Sequence, residues 1–172
     1  MTTHEDRWSR HREISGGILA LDAEDLLRLL PLSKKRILID RVLSLQPGSH
    51  AVAQKAVTAG DVATPGRKSG FVFPSTSALI ALEQVSMVIL LSAAEPKSTL
   101  ASAWCHQPTS VYPSLVEVET LDVVQEMTVP GLLHLRASKV SESSETVKFE
   151  GGVSVGGEEF ITAHWWMGII ES

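Results

Sequence analysis

Glu83 and Gln84 stand near the middle of the apolar run from Ala78 to Ala94. A carboxyl set among apolar side chains is desolvated, the usual way a Glu is kept able to donate a proton near neutral pH. The other reading of Glu83 is a buried carboxyl hydrogen-bonded for structure. Cys105 and His106 are nucleophile and base by type, but they are neighbours on a predicted strand, so their side chains point to opposite faces. Cys105 therefore reads as a small core residue. His134 and His164 also fall on predicted strands, where a histidine is more often a satisfied sheet residue than a base. The chain has no GxSxG elbow, P-loop, GxGxxG or HExxH. One cysteine allows neither an internal disulfide nor a thiolate metal site, so we expect no metal, no cofactor and a cytoplasmic location.

Composition narrows the rest. The chain has 172 residues, 44% hydrophobic and 20% charged, which suits one domain with its own core. A net charge of −5 gives no electrostatic reason to hold nucleic acid. Residues 1–17 are polar and lack the apolar stretch of a signal peptide. The run from Ala78 to Ala94 is 17 residues long and interrupted by Glu83 and Gln84, so a buried helix explains it better than a membrane span.

Positioning these residues requires the following elements. Residues 1–19 read as a polar tail and 20–172 as one domain. Asp22 caps a short helix, with Asp25 three residues on and Pro31 as its stop. Two β-rich runs, from Arg36 to Val42 and from His50 to Thr58, flank the turn at Pro47-Gly48-Ser49 and predict a hairpin. Residues 59–77 hold five Gly or Pro breaks and read as a long loop of the kind that carries sites. The apolar helix follows, with Ser75, Thr76 or Ser77 as N-cap, and its apolar residues on every face require it to be wrapped. Strands are then predicted near Leu100–His106, Leu115–Val124, Leu132–Val140, Thr146–Val155 and Glu158–Ile170. Gly156-Gly157 turns the last pair. The sum is an α+β domain of the hot-dog kind, one long helix inside an antiparallel sheet of about six or seven strands.

Several short motifs then coincide with a known family. Leu29-Leu30-Pro31, Ile37-Leu38-Ile39-Asp40-Arg41-Val42 and Pro47-Gly48 resemble the bacterial 3-hydroxyacyl-acyl-carrier-protein dehydratase pattern LLPHRYPFLLVDRV followed by PG. Val57-Thr58, Leu79-Ile80-Ala81-Leu82-Glu83, and Leu121-Asp122 through Val129-Pro130-Gly131 resemble its VT, VLILEA and ID…VPGD segments, and the resemblance runs from about Leu21 to Ile170. It implies a hot-dog dimer with sheets joined edge to edge. Each interfacial site takes a histidine from a GHFPG loop of one subunit and a carboxylate from the central helix of the other.

Glu83 takes the carboxylate's place. Fourteen positions earlier, where the family has its histidine, this chain has Ser69, with Arg67 as a rival, and no histidine lies between His50 and His106. Neither replaces imidazole, since Arg stays protonated and Ser needs its own base. By the same register Gly70, Phe71 and Phe73 line the acyl tunnel or pack. Ala78 stands where the family has a helix-start glycine whose backbone N–H polarises the thioester carbonyl.

The resemblance therefore implies a subunit of a 3-hydroxyacyl-acyl-carrier-protein dehydratase that is inactive alone. It would give Glu83 to a site completed by the histidine of a homologous hot-dog partner. The alternatives are a homodimer, a non-catalytic structural subunit and a hot-dog acyl thioesterase. Acyl carrier proteins are acidic, so Lys34, Lys35 and Arg36, joined by Arg67 and Lys68, form either a docking patch or a solvated charge run. Asp40 and Arg41 read as a structural pair, and Trp165 and Trp166 as one inward and one outward residue.

Overall fold

The Asp22 cap forms as read. In a computed structural model that describes residues 12–15, 18–58, 72–93, 111–128 and 130–171, Asp22 accepts from the Glu24 and Asp25 amides at 2.8 and 3.0 Å. The Asp25 carboxylate answers the Asp22 N–H at 3.1 Å, completing a capping box ahead of helix α1, Ala23–Leu29. These amides hold the Asp22 carboxyl below its ordinary value of 3.8, against a smaller opposing desolvation. A carboxyl whose pKa falls on folding stabilises the fold above its unfolded value, and loses that contribution as pH drops through the folded one. Asp22→Ala should therefore lower Tm at pH 7 by more than Asp22→Asn, which keeps an acceptor. The deficit should shrink as pH falls from 7 through the lowered carboxyl value; thermal melts across pH check this.

Among the described residues the sheet has eight strands, all antiparallel, in the order β1-β2-β3-β4-β6-β7-β8-β5. They are β1 Arg12–Ser15, β2 Ile18–Leu21, β3 Arg41–Gln46, β4 His50–Val57, β5 Val111–Val123, β6 Gly131–Glu142, β7 Thr146–Val155 and β8 Glu158–Glu171. Strand β1 lies inside the expected tail of residues 1–19 and β2 crosses its boundary, so both correct that tail and extend the sheet beyond β3. The expected strand from Leu100 to His106, with Cys105 and His106, lies outside the described residues. Gly156 and Gly157 turn β7 into β8 at φ +59° and +90°, backbone that only glycine adopts freely.

Helix α2, Ser75–Leu91, lies against β4, β5, β6, β7 and β8. Its Ala81, Leu82, Val85, Val88 and Ile89 are fully enclosed, so the wrapped helix read from its all-round apolar pattern is present. The N-cap differs: Pro74 occupies it, without a side-chain cap, because the helix already includes Ser75 to Ser77. Trp165 faces in at 0% exposure, stacks on Phe149 with ring centroids 6.0 Å apart, and donates its indole N–H to Ser86 Oγ at 3.1 Å. Trp166 faces the other way, under Lys148 Nζ at 5.5 Å.

Two expectations near β3 are corrected. Ile37 to Ile39 are not strand. Lys34–Arg36 form a 3₁₀ turn, the Leu38 N–H goes to Gln84 Oε1 at 2.8 Å, and Gln84 Nε2 donates to Arg36 O at 2.7 Å. The helix's buried amide thus satisfies backbone that would otherwise need a sheet neighbour. Asp40 and Arg41 do not pair with each other: Asp40 accepts from the Ala56 N–H, and Arg41 Nε donates to Gln54 Oε1 at 2.8 Å.

Candidate active site

Glu83 projects from α2 toward β5. Two donors reach its Oε1: the Ser114 hydroxyl and the Leu115 N–H, each at 2.8 Å. The β5–β8 ladder shifts register between Leu115 and Glu117, and beside that irregularity the Leu115 amide bonds the carboxylate. The side chain is half-buried, so its seat is more polar than an apolar helix suggests. Among the described residues Oε2 has no hydrogen-bond partner, which leaves one oxygen held and one open. Such a group can present a carboxyl in a fixed orientation to a hydroxyl or a water.

No described imidazole faces it. His134 Nε2 lies 2.9 Å from Gln54 Nε2, and His50 Nδ1 lies 3.1 Å from Ser49 Oγ. His164 pairs across the sheet with Thr120 and Glu150, on the face opposite Trp165. The base that a proton-abstraction reaction requires is thus absent from the described surroundings of Glu83.

A cavity of about 170 Å³ opens at the N-terminal end of α2, lined by Phe73, Ala78, Met127, Leu133, Phe160 and Ile161 among others. Phe73 is fixed there by its N–H to Met127 O at 2.9 Å. The structure therefore brings Phe73 and Ala78 together. Glu83 does not line this cavity, because five helical positions turn it about 140° away around the axis. Ser69, Gly70 and Phe71, like Arg67 and Lys68, lie outside the described residues.

One expected role changes. Because α2 begins at Ser75, the Ala78 N–H is inside the helix and donates to Pro74 O at 3.2 Å, so it is not a free donor for a carbonyl oxygen. Ser114 and Leu115 carry no sequence signal as partners of Glu83, since they stand 31 and 32 residues away. Among the described residues no set of three or more His, Cys, Asp or Glu could hold a metal, and no helix is long and apolar enough to cross a membrane.

Comparison with known proteins adds the following. No family model matches the chain. It is 37% identical over 73 residues to the 3-hydroxyacyl-acyl-carrier-protein dehydratase FabZ of Latilactobacillus sakei, a match that covers 42% of this chain and 52% of that protein. The chain thus spans about half the length of the curated relatives it matches. Among solved structures it resembles the dehydratase heterocomplex ApeI:P from Xenorhabdus doucetiae, with a TM-score of 0.61 and 16% identity, covering 86% of this chain and 91% of that one. It also resembles a mutant of thioesterase PA1618 from Pseudomonas aeruginosa, with a TM-score of 0.57 and 15% identity, covering 95% and 100%. At such identities the structural likeness establishes the fold alone. The chain is a hot-dog-fold protein, related in sequence over part of its length to the 3-hydroxyacyl-acyl-carrier-protein dehydratases.

Proposed function

We propose that this chain is one subunit of a 3-hydroxyacyl thioester dehydratase and gives Glu83 to a site that a homologous partner completes with a histidine. The observation that carries the reading is the position of Glu83. Its carboxylate sits beside the terminal strand of the sheet with Oε2 open, and no described imidazole of its own chain is in contact. Two further findings support it: the sequence relatives are dehydratases, and one similar structure is a dehydratase heterocomplex.

The reaction removes the α-proton and expels the β-hydroxyl. In this reading the partner's imidazole takes the proton, the freed electron pair forms the Cα–Cβ double bond, and the hydroxyl departs as water with a proton from Glu83 Oε2. The bonds from Ser114 and Leu115 to Oε1 hold the carboxyl still, so proximity and orientation come from the helix and β5. The exposed 3₁₀ turn at Lys34–Arg36 suits an acidic carrier protein.

Reconstitution tests this. The isolated chain should leave 3-hydroxyacyl carrier thioesters unchanged, and adding a homologous hot-dog chain with an intact GHFPG loop should start dehydration. Dehydration by the isolated chain at the rate of the pair would overturn the shared site. Thioester hydrolysis by the chain alone would favour the thioesterase reading.

A further inference from the structure

The end strand β5 has β8 on one side and, among the described residues, no strand on the other. A long open edge is a template for pairing unless it is covered or charged. Beside it Val116 is 48% exposed, and Ile80, one helical turn before Glu83, is 46% exposed, so apolar surface flanks the edge. The strand's own charges are all of one sign: Glu117, Glu119 and Asp122, with no Lys, Arg or His in Val111–Val123. Glu119 is neutralised within the chain by Lys148 at 2.5 Å, whereas Glu117 and Asp122 have no ion pair among the described residues.

The position of Glu117 sets the consequence. It is the midpoint of the 13-residue strand, so full antiparallel overlap of β5 with a second copy places Glu117 directly opposite itself. Slipping the register two residues one way sets Glu117 opposite Glu119, and slipping it the other way sets Glu117 diagonal to its own copy. Like charges directly opposite destabilise a strand pair, and diagonal neighbours still interact. Each of these self-pairings thus brings acid to acid across the edge.

We infer that the β5 edge selects against a second copy of this chain and for a homologous hot-dog chain whose edge strand carries Lys or Arg opposite Glu117. This rests on the shared-site reading for the kind of partner, and it adds the partner's charge. A partner docked along β5 also comes to lie beside Glu83, whose Oε1 is bonded to the Leu115 amide of that strand.

The experiment uses the chain and its Glu117→Lys variant, each alone and mixed, followed by sedimentation velocity and native mass spectrometry at low and high salt. We expect weak self-association of the parent that improves with salt. The mixture should form parent–variant dimers at least about tenfold more tightly than parent dimers at low salt, with salt eroding the gain. Glu117→Gln should strengthen self-association, and Glu24→Lys on α1 should change nothing. A parent homodimer that is tight at low salt, or mixing no better than statistical, would overturn the inference. The readout is assembly, so such a result leaves the role of Glu83 untouched. Conversely, full activity of a Glu83→Gln pair would sink the shared site without altering the dimerisation result.

Discussion

Glu83→Gln is expected to lower dehydration by the reconstituted pair about 10²- to 10⁴-fold, the usual contribution of a positioned general acid. Gln presents the same Oε1 to the Ser114 hydroxyl and the Leu115 amide, so the seat and the fold should persist. What disappears is the proton that leaves with the β-hydroxyl. Tm of the chain and its affinity for the partner should therefore match those of the parent, with the loss confined to turnover. Steady-state rates on a 3-hydroxyacyl carrier thioester, with melts on the same samples, make the measurement. A fully active Glu83→Gln pair would instead assign this chain a purely architectural role.

Trp165→Ala carries the largest expected effect on stability, about 3–5 kcal/mol, because truncating a buried aromatic loses transfer energy and leaves a cavity. Trp165 has no exposed surface, stacks on Phe149 and ties β8 to α2 through Ser86. Domains typically hold only about 5–15 kcal/mol in total, so the Ala variant should be marginal or unfolded at 37 °C. Trp165→Phe keeps the stack and most of the volume and loses the indole N–H. Ser86 still donates to Leu82 O at 3.0 Å, so its hydroxyl keeps a partner. We expect the Phe variant to lose about 1–2 kcal/mol. Urea unfolding with an unchanged m-value separates the two variants, and equal stabilities would refute this view of the core.

Much of the fold was legible from residues close in sequence. The α1 cap needed only Asp22 and Asp25, the last hairpin only Gly156 and Gly157, and the enclosed helix only its all-round apolar pattern. The motif order from Leu29 to Gly131 implied the hot-dog arrangement that the solved structures share. At two places local preference loses to distant partners. Ile37 to Ile39 are β-rich by type, but their neighbourhood is claimed by Gln84 from the helix. Ala78 reads as a helix start until Pro74 proves to be the cap and its amide is engaged.

The sequence by itself determined where the wrapped helix and the strands after it from Val111 onward lie, and that Glu83 stands in that helix with no histidine between His50 and His106. Only the tertiary structure decided that Glu83 is held through one oxygen by Ser114 and Leu115, that it turns away from the cavity of Phe73 and Ala78, and that an acidic strand ends the sheet beside it. The physical reason is range. Caps, turns and periodicity act over a few residues, whereas the bonds that orient Glu83, Gln84 and Trp165 join positions 31 to 79 residues apart, which only chain packing brings together.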